Sequence, residues 1–152
     1  MSEIEIRGAR VEDRAAVAAL LERTALPPDG LDEQFGEPYA VAVADGRIVG
    51  AAGVEVYGDA GLLRSVAVDP AWQGMGLGQR LTEERLRWAA SRGLDSVYLM
   101  TTTAAGFFPR LGFAPVARDE VPAAVRGSLQ FASVCPSTAA VQRLSLSAPA
   151  AP

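Results

Sequence analysis

The sequence predicts an α/β (α+β) domain built on a mixed central sheet flanked by helices, and three observations lead there. Short apolar or alternating runs recur between helical patterns along the chain, an Asp45-Gly46 pair separates two such runs, and residues 62–100 read as strand, loop, helix, strand. Asp-Gly is the preferred centre of a two-residue hairpin, which makes antiparallel neighbours. Two strands joined through a helix lie parallel with a right-handed crossover, so both pairings must coexist in one sheet. With 152 residues the chain can bury a core without staples. Residues 1–146 are expected to form a single domain, with 147–152, only Ser, Ala and Pro, as a frayed tail.

The elements follow in order. Residues 4–7 alternate apolar and charged side chains as a strand, and 11–23 place Val17, Leu20 and Leu21 on one helical face opposite Glu12, Asp13 and Arg14. Pro27-Pro28 ends that helix, a short helix is expected over 30–35, and Glu37-Pro38 leads into a strand over 39–44. The hairpin then gives a strand over 47–57, in which Gly50 and Gly53 predict a bulge or a close neighbour. A turn over 58–61 opens the strand 62–68, stopped by Asp69-Pro70. The following helix runs to about residue 91 with Leu77, Leu81 and Trp88 on one face, and Gly93 caps it. Residues 96–100 read as a strand, 103–111 as a shorter helix stopped by Gly112-Phe113, 114–117 as a strand, 119–131 as a helix, and 139–146 as the closing strand.

Composition bounds the chemistry. A net charge of −4 argues against nucleic acid or an anionic membrane as partner, since both need a basic face. No basic-then-apolar leader opens the sequence and no apolar run reaches bilayer length, so the cytoplasm is the expected compartment. The chain has no histidine and one cysteine, Cys135. That leaves no internal disulfide, disfavours a metal centre and Ser-His-Asp or Cys-His hydrolysis, and puts acid–base work on carboxylates, tyrosines, backbone or water.

The most informative stretch is Gln73-Gly74-Met75-Gly76-Leu77-Gly78, set between a strand and a helix. Glycines let the main chain approach a ligand, and the first amides of the helix are unpaired at its positive end, which makes an anion cradle suited to a diphosphate. A P-loop is excluded because no Lys-Ser or Lys-Thr follows the glycines, and the G-x-G-x-x-G fingerprint fails on spacing. What remains is Q-x-x-G-x-G, carried by Gln73, Gly76 and Gly78, which resembles the acetyl-CoA-binding motif of the GCN5-related N-acetyltransferases (GNAT). A second segment supports the resemblance: against N-x-x-A-x-x-F-Y-x-[KR]-x-G-F, the chain matches at Ala104, Phe107, Arg110, Gly112 and Phe113, with Thr101 in place of Asn and Phe108 in place of Tyr.

The resemblance implies a GNAT fold of about seven strands, splayed between the fourth (62–68) and fifth (96–100), with acetyl-CoA as co-substrate. The 73–78 loop, Gln73, Gly74, Met75, Gly76, Leu77 and Gly78, would take the phosphates. Backbone groups of Val66, Ala67 and Val68 would pair with the pantetheine arm as an added strand and support the developing oxyanion. Phe108 would lie at the cofactor. The Tyr it replaces often protonates the departing thiolate, which leaves water or a Thr hydroxyl for that role. The resemblance also includes homodimers, with no interface fixed by the letters.

Within the family, Leu62-Leu63-Arg64-Ser65-Val66-Ala67-Val68, the triple Thr101-Thr102-Thr103, Asp119-Glu120-Val121-Pro122 and Val134-Cys135-Pro136 are similar to arsenical-resistance (ArsN-type) acetyltransferases and to the acetyltransferase module of N-acetylglutamate synthases. These imply a small amine acceptor, an amino acid or a glutamate analogue, and a role in resisting arsenicals or other toxins. A carboxylate on the acceptor calls for Arg64 or Arg126, whose planar fork grips it at two points, and Thr101, Thr102 and Thr103 complete the expected substrate contacts. Thr103 stands where the glutamate synthases usually carry Arg, which favours an analogue over glutamate. The acceptor amine must lose a proton before it attacks, and Glu55, projecting from the same strand face as Tyr57, is the candidate base. Cys135 reads as a small buried residue. Alternatives are a protein or peptide N-terminal acetyltransferase, and a non-catalytic acyl-CoA sensor.

Overall fold

The computed structural model describes residues 3–26, 31–101, 106–128 and 140–146. Among them one sheet holds seven strands: β1 (Ile4–Gly8), β2 (Tyr39–Ala44), β3 (Arg47–Tyr57), β4 (Ala60–Val68), β5 (Ser96–Thr101), β6 (Ala114–Pro115) and β7 (Ala140–Ser145). Their order is β1-β2-β3-β4-β5-β7-β6, antiparallel throughout except for the parallel pair β4–β5. The helices are α1 (Arg14–Arg23), α2 (Leu31–Gln34), α3 (Leu77–Ser91) and α4 (Ala123–Arg126). None is long and apolar enough to cross a membrane.

Period-two alternation sorts β2 and β3 between two cores. Tyr39, Val41 and Ala51 face α1, where they bury Val17, Leu20 and Leu21. Ala40, Ala42 and Ala52 face α3, where they bury Leu77 and Leu81. Small residues on that side let α3 lie close: a Cβ added at Gly50 would come 2.8 Å from a Leu81 methyl. On the other side a Cβ at Gly53 would sit 2.4 Å from the Tyr39 ring, so Gly53 marks a close neighbour, as the sequence suggested. The bulge lies one residue earlier than Gly50, where the register shifts and Val49 is the extra residue opposite the Ala42/Val43 step.

Several elements differ from the sequence reading for local reasons. The first helix opens with a 3-10 turn at Val11–Asp13, where Asp13 accepts from the Arg10 amide and pairs with Arg7. On α3 the buried stripe is Leu77, Leu81, Arg85 and Ala89, four residues apart, with Trp88 only half-buried. Arg85 is tolerated there because it donates to the Glu37 carbonyl (2.8 Å), binds Glu84 and lies 4.8 Å over the Trp88 ring. Of the helix expected over 103–111, the described residues 106–111 hold a 3-10 turn, Phe108–Leu111, in which Pro109 has no amide to donate. In the described part of the one expected over 119–131, residues 119–128, Pro122 separates a turn, Arg118–Glu120, from α4. Residues 102–105, 129–139, with Cys135, and 147–152 lie outside the described residues.

Candidate active site

The loop between β4 and α3 is held from both sides. Asp69 accepts from the Ala71 amide (3.0 Å) and pairs with Arg23 (3.0 Å), which fixes the 3-10 turn Pro70–Trp72. Gln73 folds back so that its side-chain amide donates to the Val68 carbonyl at 2.9 Å. The motif glutamine therefore ties the loop to the strand end. Gly74 and Gly76 have φ of 85° and 76°, and a Cβ at either would meet nothing within 4 Å. Glycine is demanded there by the left-handed backbone, and the space beside the loop is open. Met75 is exposed at 56% while the Leu77 side chain is buried beneath the helix, so Leu77 offers its amide alone. The first helical bond runs from Arg80 N–H to the Gly76 carbonyl, so the amides of Leu77, Gly78 and Gln79 precede it and point past the helix end. Three converging N–H groups at the positive end of a 15-residue helix, with open room before them, fit a pyrophosphate.

The strand that delivers this loop is only partly paired. β4 meets β5 at Ala60↔Ser96, Gly61↔Val97 and Leu62↔Tyr98, and beyond Leu62 it continues to Val68 with β3 as its neighbour. The side of β4 turned toward β5 opens along residues 63–68, where Val66, Ala67 and Val68 stand. A β-bulge accompanies the opening: Ser65 and Val66 together oppose Ala52, and Ser65 has φ of 58°. The extra residue resets the alternation, so that Arg64 and Ala67, three apart, share the α1 face while Leu63 and Val66 share the α3 face.

On the α1 face beside the opening lies a buried polar cluster. Glu55 is 0% exposed. The Tyr39 hydroxyl donates to its Oε2 (2.6 Å), the Tyr57 hydroxyl to its Oε1 (2.8 Å), and Arg64 Nη1 lies 3.5 Å from Oε2. Arg64 Nε also donates to Ser65 Oγ at 3.1 Å, tying the cation to the bulge. Burial pushes the Tyr39 phenol far above its ordinary range; the Arg64 charge opposes that and the Glu55 carboxylate adds to it. Tyr39 is thus a permanent donor. Of the two hydroxyls that reach Glu55, that of Tyr57 belongs to a half-buried residue.

The remaining expected residues are spread around this centre. Arg126 is exposed on α4, the helix whose Val125 packs over Leu62 and Tyr98. Thr101 ends β5, half-buried, and Thr102 and Thr103 lie outside the described residues. The Phe108 ring is 7% exposed in the core with Leu63 and Leu99, edge-on to Phe113, and a Cβ on Gly78 would lie 4.0 Å from the Phe107 ring. Phe107 is half-buried beside the cradle because the 3-10 turn begins one residue later. Sequence reasoning missed Tyr39 and Ser65 as site residues. The signal for Tyr39 was present in Gly53, which the hairpin register places opposite it.

An anion cradle fed by a strand that parts from its parallel neighbour suits a diphosphate that carries an extended arm. A family model described as an acetyltransferase (GNAT) domain matches residues 36–115, and the chain belongs to that family. An amino-acid acetyltransferase of Pseudomonas putida is 35% identical over 95 residues, a segment that is 61% of this chain and 22% of the relative. The chain thus spans under a quarter of the length of that relative. N-acetylglutamate synthase from Neisseria gonorrhoeae, solved with coenzyme A and N-acetyl-glutamate, superposes with a TM-score of 0.80 at 22% identity, covering 96% of this chain and 36% of that one. A Mycobacterium tuberculosis protein solved with CoA gives 0.77 at 26% identity over 93% of this chain and 98% of that one.

Proposed function

We propose that the chain transfers acetyl from acetyl-CoA directly to the amine of a small acceptor of amino-acid character, with glutamate analogues, including those carrying arsenic or phosphorus, as the favoured class. Resistance to toxic arsenicals is the role this reading implies. The observation that carries it is the continuity of cradle and opening: the amides at 77–79 begin where β4 ends, and β4 is unpaired toward β5 from 63 onward. Acetyl-CoA supplies the acetyl group on a thioester. Gly74, Gly76 and the α3 amides hold its pyrophosphate, and the open side of Val66 to Val68 aligns the arm.

Direct attack is favoured because the sequence has no histidine to activate a nucleophile. Glu55 is assigned the proton lost by the amine, received through Tyr57, whose hydroxyl already donates to it. Arg126 takes the acceptor's carboxylate. Arg64, with its side chain only 1% exposed, serves as the inner cation that holds Glu55 in place and biases the site toward an anionic acceptor. Relatives named for amino-acid acetylation support this acceptor class. The test is thiol release from acetyl-CoA across amino acids, glutamate analogues, polyamines and peptides. Turnover is expected to be highest with a glutamate analogue and to fall with Arg126→Ala. Preference for peptides, or analogue turnover indifferent to that substitution, overturns the assignment.

A further inference from the structure

The leaving thiolate of the proposed reaction needs a partner, and the residues expected to provide one do not. Phe108 replaces the tyrosine that would serve it, and phenylalanine has no proton to share. The hydroxyls of Tyr39 and Tyr57 both direct their protons to Glu55. Histidine is absent from the sequence. Along residues 63–68, where β4 has parted from β5, the one hydroxyl is that of Ser65.

Ser65 differs from its neighbours in three ways. Its φ of 58° puts a residue with a side chain in the left-handed region, in the middle of a strand. Such strain persists only where the surroundings hold it, and it concentrates at functional sites. Ser65 is half-buried while Leu63, Arg64 and Ala67 around it are buried, so the bulge brings it to the surface at the stretch that β5 leaves open. Its Oγ accepts from Arg64 Nε at 3.1 Å, and no described residue accepts the Ser65 proton. A hydroxyl whose oxygen is bonded to a guanidinium has its proton free for another acceptor and donates it more strongly, because linked hydrogen bonds polarise one another.

Building on the acetyl-transfer reading, we propose that Ser65 is a catalytic residue whose hydroxyl donates a hydrogen bond to the coenzyme sulfur as it becomes a thiolate. The amine nitrogen bonds to the acetyl carbon, and when the tetrahedral adduct collapses the C–S bond breaks and its electron pair goes to sulfur. The Ser65 hydroxyl stabilises that charge with the Arg64 guanidinium behind it. A serine hydroxyl is far less acidic than a thiol, so it holds the thiolate without surrendering its proton. The amine's proton goes to Glu55, and the thiolate takes one from solvent as CoA leaves.

Ultraviolet titration of the thiol of CoA bound to the full chain tests the proposal without an acceptor, with desulfo-CoA as the blank. In the parent the bound thiol should titrate about one pH unit below that of free CoA, and Ser65→Gly should return it toward the free value. Glycine adopts a φ of 58° without strain, so this variant should melt cooperatively and bind CoA as the parent does. Its thiol release from acetyl-CoA with the best acceptor should be about tenfold slower. A bound thiol that titrates at or above the free value in the parent, or one that Ser65→Gly leaves unchanged, overturns the proposal and leaves the acetyl-transfer reading standing. Absence of CoA association overturns both.

Discussion

Gly53→Ala should be among the most damaging single-methyl additions to this domain, and its cost follows from the neighbour it would strike. The new Cβ would lie 2.4, 2.6 and 2.8 Å from three atoms of the Tyr39 ring. Ordinary carbon contacts begin near 3.5 Å, so the ring has to withdraw by roughly 1 Å. It has nowhere soft to go: Tyr39 is 0% exposed, stacks at 5.1 Å on Phe35 and is anchored by its 2.6 Å hydrogen bond to Glu55. Overpacking a filled core costs about 1–3 kcal/mol, and stretching a hydrogen bond to a charged group forfeits about 1.5 kcal/mol more. A destabilisation of about 3 kcal/mol is expected. Urea unfolding followed by the fluorescence of Trp72 and Trp88 reads it as a lowered midpoint at unchanged slope. Gly50→Ala is the control, because its closest contact, at 2.8 Å, is the tip of the flexible Leu81 side chain rather than a ring, with Ala42 Cβ next at 3.3 Å. It should cost about 1 kcal/mol. A loss below about 1 kcal/mol for Gly53→Ala, or a larger loss for Gly50→Ala, would refute the reasoning.

Glu55→Gln keeps the shape but not the proton acceptor. Its rate with the best acceptor should drop by about 10- to 100-fold. The deficit should be largest at low pH, where the amine carries its proton, and shrink as pH rises; an unchanged pH profile removes Glu55 from proton transfer. Asp13 offers a pH test of stability. The hydrogen bond from Arg7 holds its carboxyl below the ordinary aspartate range. Its contribution is therefore complete above the unfolded-state pKa near 4 and lost as pH falls through the lower folded value. Asp13→Asn should remove about 1 kcal/mol at neutral pH and flatten the acid limb of the stability curve. An acid limb identical to that of the parent would contradict this.

Much of the frame was legible because local chemistry dictates it. Asp45-Gly46 set β2 and β3 with the expected bounds, since a two-residue turn leaves the flanking strands one register. The glycine-rich turn between β4 and α3 was legible because glycine permits the positive φ that Gly74 and Gly76 adopt. Ser65 was not, because a serine in the left-handed region is held there by its surroundings and carries no letter that announces it. Its effect was a shift of face along the rest of β4. Arg85 was invisible as a core residue because its partners, the Glu37 carbonyl and the Trp88 ring, are chosen by packing. The Glu55 cluster was half legible. Alternation placed Tyr57 beside Glu55, but Tyr39 and Arg64 join them across two strand pairings, and that only register can supply.

The claim beneath all of this is that the amides after Gly76 and the open side of β4 hold acetyl-CoA. Calorimetry of acetyl-CoA with the parent chain and with Gly76→Val tests it most directly, since valine strongly resists the 76° φ of the cradle. One-to-one association with the parent, weakened at least about tenfold in a variant that still melts cooperatively, is the expected result. Absence of association with the parent, or equal affinity in both, would contradict it.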